Sequence, residues 1–524
     1  MTRLKAFDSP TSRVDYPAIR TRRSSIGDRV RLLAFAGFLV ILIPGLLTMD
    51  VKWSIALPLS ILFSMLGQHF VAVALGPAED IFGPITPISA YFLISMAGRA
   101  LYIVLMPDVH RIGRVGYDDY LPEALWCSCL AYGSILLGYY SAWAKSGPAY
   151  LPQRELRWPA SISPIRIVAL ATVSFAVLVY FLRHGVAVGG KFRGDPPNGF
   201  ALLLTHALPL AWIAACICRS QARRASDKQK ALLVVLLCLA YLLASIAISG
   251  SKQALFEPLL EGLIVFHYLR KRVNLLQLTV IGLPAVFLAF GAINFYRFVT
   301  VAQHGSPKSL ADMVSLLSSA TDSVGESSGG IRASAFEQMF DRQAGIDALA
   351  VVMKYTPNPR PFGYGASVID AFISATIPRQ LWPAKPLFDP SRDFEQNYLS
   401  MPSYYHGHTS CQLAADLYQN MGLPGVFLGM LIFGIFVKWL YLFCAPGRNR
   451  PAGVFFYAFL LPLVSYWTAI TVGYFVIFLP RTLLLSVAAA MFLGVTYKKI
   501  GLSPKTAMNL RYVPRGGRAS MAAP

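Results

Sequence analysis

Apolar runs of about 20 residues, separated by short polar turns, set the pattern of this chain. Within the runs, apolar and polar residues do not alternate, so the period of two that a membrane barrel requires is missing. A backbone in hydrocarbon must bond to itself, and a run of this length does so as a helix. Twelve spans are predicted, at 32–48, 53–75, 86–106, 121–143, 165–183, 199–218, 231–249, 254–269, 275–296, 425–445, 453–471 and 479–497. The eighth is short and carries Glu257 and Glu261, and the last two allow another division around Thr471–Gly473. One long polar interruption runs from 297 to 424. Helical spacing is predicted there over 307–320 and 331–355, with Ile331, Ala335, Phe336, Met339 and Phe340 on one stripe. A turn-rich break follows at 357–365, then a short amphipathic helix at the membrane surface over 366–377. Extended or coiled chain is expected over 378–405, which has five prolines, and a helix over 408–421 leading into the tenth span. Stretches 1–30 and 503–524 read as disordered. No cleavage signal follows Leu47, so the first span is expected to be retained.

Composition agrees with this pattern. Of 524 residues 55% are hydrophobic and 14% charged, where soluble domains carry about a quarter charged. The fold class predicted is an all-α polytopic membrane protein of about twelve transmembrane helices with one large loop. The net charge of +21 is spread over the short turns between spans, which encodes orientation and argues against nucleic acid as a partner. If the first segment lies inside, the inner segments hold 27 Lys and Arg and the short outer turns hold 6. Both termini (1–31 and 498–524) are therefore expected in the cytoplasm, with 297–424 on the opposite face of the membrane. The basic runs RSQARRASDKQK (219–230) and RKR (270–272) both belong inside, so spans seven and eight should form a hairpin between them.

Candidate chemistry begins with charges that hydrocarbon disfavours. Arg99 falls within span three and needs a partner or a function. Lys438 sits near the inner end of span ten, where it can snorkel. Glu257 and Glu261 share a helix face, with Lys252 close enough to pair with one of them. A second group of cations collects at outer ends and in outer loops: Arg183, Lys191, Arg193, Arg297, Arg332, Arg379, Lys385, Arg392 and Arg481, together with Lys252. Arginine forks at a membrane face suit an anionic head group such as a pyrophosphate. Among the seven cysteines only Cys411 lies in the long loop, and no disulfide framework is implied. His406 and His408 form an H-x-H pair, a weak metal signal; a histidine base or hydrogen-bond donor is the better reading. No nucleophile triad, P-loop or dinucleotide fingerprint is present.

In IPRQLWPAKP (377–386) three prolines stiffen a segment that places Arg379 and Lys385 six residues apart beside Trp382. A polar stretch with Tyr404, Tyr405 and His408 follows, and then ADLYQNMGLPG (415–425) enters a span. This order resembles the C-terminal half of bacterial oligosaccharide repeat-unit polymerases, the Wzy-type O-antigen, capsule and exopolysaccharide polymerases. ISGSKQALFEPLL (248–260) is similar to a small-residue and basic hairpin of that family. The resemblance covers roughly 185–500 and is sharpest over 377–425. Asp416 stands where the family often has Glu, and Met421 where it often has Phe. The spaced Arg-x(10)-Gly pattern of some members is missing at Arg193, Arg332 and Arg379. The O-antigen ligases share the architecture, with a His-led motif closer to Gly-x-x-Gly than His408 is here.

The resemblance implies a fold similar to membrane glycosyltransferases of the GT-C type. It implies transfer of a glycan from undecaprenyl pyrophosphate to an incoming lipid-linked repeat unit at the outer face of the bacterial inner membrane. Arg379 is then the first choice to stabilise the leaving pyrophosphate. Arg332, Lys385, Arg297, Arg193 and Lys252 are further binding candidates, with Tyr418 on the glycan. Asp416 or His408 is the candidate base. Neither metal nor other cofactor is expected, because fixed cations replace a metal in this chemistry. A chain-length regulator and a flippase of the same pathway are possible partners. A ligase-like enzyme, or a polysaccharide or lipid transporter, are the competing readings.

Overall fold

The computed structural model describes residues 25–75, 80–106, 115–144, 154–159, 162–183, 204–249, 252–282, 344–377, 382, 390–401 and 411–499. These residues are mostly helical, and eight of their helices are long and apolar enough to cross a membrane. Many carry apolar side chains that face outward, such as Ile41, Leu233, Ile432 and Leu484, as lipid contact requires. Several serine hydroxyls inside these helices return to their own backbone, as Ser64 does to the carbonyl of Ser60 and Ser89 to that of Ile85. Such bonds satisfy a polar group without water.

In chain order the first helices are α1 (Ser25–Thr48), α2 (Trp53–Leu75), α3 (Ile85–Leu105) and α4 (Leu121–Tyr140). A π-helical stretch, Leu93–Gly98, lies inside α3 just before Arg99. Next come α5 (Pro164–Arg183), α6 (Ala207–Gln221), α7 (Ala225–Ser249) and α8 (Lys252–Leu269). Helices α7 and α8 pack on each other at the positions predicted for spans seven and eight, although α8 is not among the eight helices long and apolar enough to cross a membrane. Helix α9 (Leu275–Gln277) starts with a capping box on Asn274 and continues as the π-helical stretch Leu278–Gly282.

The long polar segment contributes α10 (Gly345–Tyr355), α11 (Ala366–Thr376) and α12 (Pro390–Asn397). The predicted helix 307–320 and the stripe 331–340 lie outside the described residues. Helix α12 corrects the expectation of extended chain over 378–405. Its proline is the first helical residue, where no backbone N–H is needed. Helix α10 differs from expectation in a second way, because Gly345–Val352 are all buried. It packs on α4 and on the π-helical part of α3, so this part of the loop is built into the bundle.

The last helices are α13 (Leu413–Cys444), α14 (Pro451–Thr468) and α15 (Val472–Phe492). Helix α13 starts well before the predicted 425 because it runs through a break at Gly422. Helix α14 is apolar on every side and packs against α3, α6, α8, α13 and α15, which makes it the centre of the bundle. Helix α15 starts seven residues before the predicted 479 and ends before 497. The hydroxyl of Thr471 caps its start by accepting from Tyr474 N–H. Gly494, at φ 89°, ends it, with Gly494 N–H bonded to Met491 O and Val495 N–H to Ala490 O. The chain then forms strand β2 (Thr496–Lys499), antiparallel to β1 (Arg154–Arg157), a small sheet that an all-α reading did not include.

Helices α4 and α13 approach each other closely. A Cβ at Gly138 would lie 2.1 Å from Leu431 O, and one at Gly434 would lie 2.2 Å from Ile135 O. Small residues let two backbones meet in this way, which is how helices associate where lipid removes the hydrophobic drive.

Contacts between connecting segments fall into two groups. One group joins the 80–82 turn to α8, α13 and α14, Arg270 to Arg219 O, Trp439 to Trp143 O, Arg166 to Phe492 O, and β1 to β2. The other joins Tyr117 to Asp347, Lys354 to Gly116 O, and Asp416 to Val472. Segments that the charge count places on opposite faces are not mixed in either group.

Asp80 holds the first group together. It accepts from the hydroxyls of Tyr268 and of Tyr441 (2.9 Å), and His267 Nε2 lies 3.4 Å away. His267 Nδ1 accepts from Val273 N–H at 2.9 Å, so its proton sits on Nε2 and points at Asp80. Burial alone would raise the Asp80 pKa, but hydrogen bonds from His267, Tyr268 and Tyr441 outweigh it and hold the carboxyl below its usual range. A lowered folded-state pKa means the stabilisation is present above the unfolded value of about 4 and is lost as pH falls through the folded pKa. Asp80→Asn should therefore cost about 1–3 kcal/mol near neutral pH. The gap to wild type should close in acid below about pH 4, as read from unfolding curves in detergent at a series of pH values.

Candidate functional site

Asp416 lies in the first turn of α13, follows the N-cap Gln412 by four residues and is fully buried. Its Oδ1 accepts from Gln419 Nε2 (2.9 Å) and Asn420 Nδ2 (3.1 Å), and its Oδ2 accepts from Val472 N–H (2.7 Å). Val472 is the first residue of α15, where the helix dipole favours a negative charge. The side chain thus ties the start of α13 to the start of the last helix. With three donors on two buried oxygens, its arrangement is that of an anchor.

The next part of the motif explains itself through the backbone. Gly422 has φ 64° and ψ −153°, a region open essentially to glycine alone. This break leaves the carbonyls of Gln419 and Asn420 without helical partners. The turn Gly363-Tyr364 supplies them, with Gly363 N–H on Gln419 O (3.0 Å) and Tyr364 N–H on Asn420 O (2.9 Å). Asn420 Oδ1 accepts from Gly365 N–H (3.0 Å), and its Nδ2 also reaches Ser367 Oγ (3.1 Å). Beneath Gly422 sits Phe362, and Gly425 lets Met421 and Leu417 O approach closely. The run Asp416, Asn420, Gly422, Gly425 is therefore a clamp that fastens the 362–367 turn, the break in α13 and the start of α15 to one another.

A second anchor holds the same segment from the other side. Arg99 Nε lies 3.1 Å from Asp347 Oδ2, and Nη2 donates to Oδ1 at 3.2 Å, with the two side chains 1% and 0% exposed. The hydroxyl of Tyr117 donates to the same carboxylate, and the Arg99 guanidinium lies over the Tyr102 ring. The partner expected for Arg99 is thus Asp347. Near it, a Cβ on Gly345 would strike the Gln412 side-chain amide and Ser95 O at 2.6–2.8 Å, so α10 begins hard against the N-cap of α13. The Oε1 of Gln412 is buried there and has no hydrogen-bond partner among the described residues. Cys411, 2% exposed, has its thiol pushed well above the usual range by burial, which leaves it an inert neutral thiol.

Of the predicted site residues, Asp416, Tyr418 and Lys252 are described. Tyr418 is half-buried, with its ring edge-on to Phe362 at 6.3 Å between centroids. Lys252 opens α8. Arg379, His408, Arg332, Lys385, Arg297 and Arg193 lie outside the described residues, as do His406, Tyr404 and Tyr405. Trp382 is exposed, as is Arg392 on α12, while Arg481 is part-buried within α15. Lys438 lies over the ring of Tyr139 at 4.5 Å. Glu261 is buried in α8, and its Oε2 has no hydrogen-bond partner among the described residues. Among the described residues no three His, Cys, Asp or Glu side chains come together as a metal site. Sequence reasoning missed Asp347 and Val472. Asp347 had a signal, as an acid in the apolar run GIDALAVV that matches an unexplained arginine in a span. Val472 contributes only its backbone, and its residue type gives no sign of that.

Residues 199–444 match the model of a family described as a domain of unknown function (DUF8712). The match begins before α6 and runs through α13, so it takes in the long polar segment and all of the clamp motif but not the start of α15. No curated protein and no solved structure matches the chain.

Removing one partner of a buried ion pair strands the other, at about 3–5 kcal/mol. Arg99→Met and Asp347→Leu should each destabilise on that scale, while the double variant should recover most of the loss in thermal unfolding. Gly422→Ala should cost about 1–3 kcal/mol from backbone strain. Gly37→Ala, where an added Cβ meets nothing within 4 Å, should leave the melting curve no lower than wild type.

Proposed function

We propose that this chain is a membrane glycosyltransferase that joins undecaprenyl-pyrophosphate-linked oligosaccharide repeat units into a surface polysaccharide. On this reading the chain crosses the bacterial inner membrane twelve times, with both ends in the cytoplasm, and resembles enzymes of the GT-C type. Segment 297–424 is the catalytic loop on the outer face. The observation that carries the reading is the clamp. The motif behind the family resemblance, Asp416 to Gly425, is the part that fastens the loop to the bundle. The unmixed grouping of connecting segments supports the alternation of spans that the charge count requires.

In the reaction an acceptor hydroxyl oxygen attacks the anomeric carbon of the carrier-bound glycan. The bond from that carbon to the pyrophosphate oxygen breaks, and the lipid pyrophosphate leaves with the electron pair. A base takes the hydroxyl proton. Arg379 stabilises the charge that grows on the leaving oxygen, with Arg332, Lys385, Arg297, Arg193 and Lys252 as further contacts to the pyrophosphate and glycan. Tyr418 flanks the sugar. Because the contacts of Asp416 are those of an anchor, the base role passes to His408, and Asp416 positions the loop. No metal is needed where fixed cations supply the charge. A flippase and a chain-length regulator are the expected partners in the pathway.

One observation favours a second reading. A buried glutamate with an unpartnered oxygen, Glu261, marks many transport pathways. The two readings part in one experiment. Purified protein supplied with lipid-linked repeat units should make polymer, and Arg379→Ala should slow it by about 10²–10³. Polymer made at the wild-type rate by Arg379→Ala would remove the proposed site. No polymer from wild-type protein, together with uptake of lipid-linked units into vesicles, would favour transport. A deletion strain that accumulates long polymer on its carrier would favour a ligase.

A further inference from the structure

Two basic turns that lie 51 residues apart in sequence meet in space. Arg270, at the end of α8, donates from Nη2 to the backbone carbonyl of Arg219, in the last turn of α6, at 2.9 Å. The turn from α6 into α7 presents Arg223, Arg224, Lys228 and Lys230, all exposed. The turn after α8 presents Arg270, Lys271 and Arg272, also exposed. Asp227 is the acidic residue within these turns, and none of the seven cations forms an ion pair among the described residues.

What borders this patch identifies its occupant. On α7 the cations give way within one turn to exposed Leu232 (43%), Leu233 (67%) and Leu236 (51%). After Arg272 the chain passes Asn274 into exposed Leu276 (71%) and Val280 (62%). A helix rises 1.5 Å per residue, so Lys230 stands about 4.5 Å from the level of Leu233. The charges therefore lie where apolar surface begins, at the depth of lipid head groups rather than out in water. Unpaired arginine and lysine at that depth match phosphodiesters of an anionic bilayer.

We propose that the α6–α7 and α8–α9 turns form one binding surface for anionic phospholipid head groups in the leaflet at that end of the bundle. The Arg270–Arg219 bond fixes the spacing of its two halves. Lipid bound there bridges α6, α7 and α8 from outside. The proposal does not depend on the chemistry assigned to the long loop.

The test uses the purified full-length chain, extracted from bilayers of phosphatidylglycerol and phosphatidylcholine, with retained lipids counted by native mass spectrometry. Wild-type protein should retain phosphatidylglycerol in excess, and salt should reduce that excess. Each neutralised cation should lower it roughly fivefold. Two triple variants are compared: Arg270→Gln with Lys271→Gln and Arg272→Gln, and Arg223→Gln with Arg224→Gln and Lys228→Gln. The second leaves the Arg270–Arg219 bond intact, so its loss of phosphatidylglycerol cannot be assigned to a broken turn. Lys52→Gln, outside the patch, should retain lipid as wild type does. Equal retention of the two lipids by wild-type protein, or unchanged excess in both triple variants, would overturn the proposal. So would full displacement of the lipid by millimolar inorganic phosphate, which would make this a site for a free anion.

Discussion

Hydrocarbon offers no partner to a charge, and that constraint decides how the long polar segment is placed. Arg99 stands six residues from the end of α3, inside an apolar run. Its guanidinium requires a carboxylate from within the protein, and Asp347 is that carboxylate. To deliver it, α10 must enter the bundle, which it does with a face of Ile346, Leu349, Ala350 and Val351 that is fully buried. The π-helical stretch before Arg99 lies in the surface that α10 packs against. One pairing thus turns what reads as a loop into part of the core.

The same economy of partners governs the backbone. Gly422 interrupts α13 and exposes two carbonyls that membrane surroundings would leave unsatisfied. The protein answers with the N–H groups of Gly363 and Tyr364, and it uses Asn420 to hold the turn that carries them. Asp416 does the equivalent for an N–H at the start of α15. At the opposite end Asp80 gathers two tyrosines and a histidine from two helices. Polar residues in this chain are few, and the buried carboxylates Asp347 and Asp416 each receive several donors from more than one element.

Much of this could be read from the sequence. Apolar runs located most of the helices, because length and lack of alternation are set by the solvent and not by distant contacts. The turn at 357–365 and the helix entering span ten were legible from proline and glycine alone. Boundaries failed where a local signal was weaker than a tertiary one. The last span was placed at 479–497 with another division allowed around Thr471–Gly473, and the Thr471 cap with the Asp416 carboxylate begins α15 there, at Val472. The burial of α10 had one sequence signal, an acid inside the apolar run GIDALAVV, but the arginine that gives it meaning lies 248 residues away. At the candidate site, Asp416 was singled out for its chemistry, but the donor that ties it to another helix is the backbone N–H of Val472, to which residue type gives no clue.

The bond from Val472 to Asp416 has a consequence for biosynthesis. Asp416 is made 56 residues before the N–H that completes its shell, and α14 must be threaded between them. While the chain is being made, the carboxylate waits, short of one donor, until the final helix arrives. The loop clamp is thus closed by the last of the described helices. A chain cut short before residue 472 would keep its motif intact and still lack the group that locks it, so assembly of this segment doubles as a check that translation has reached α15.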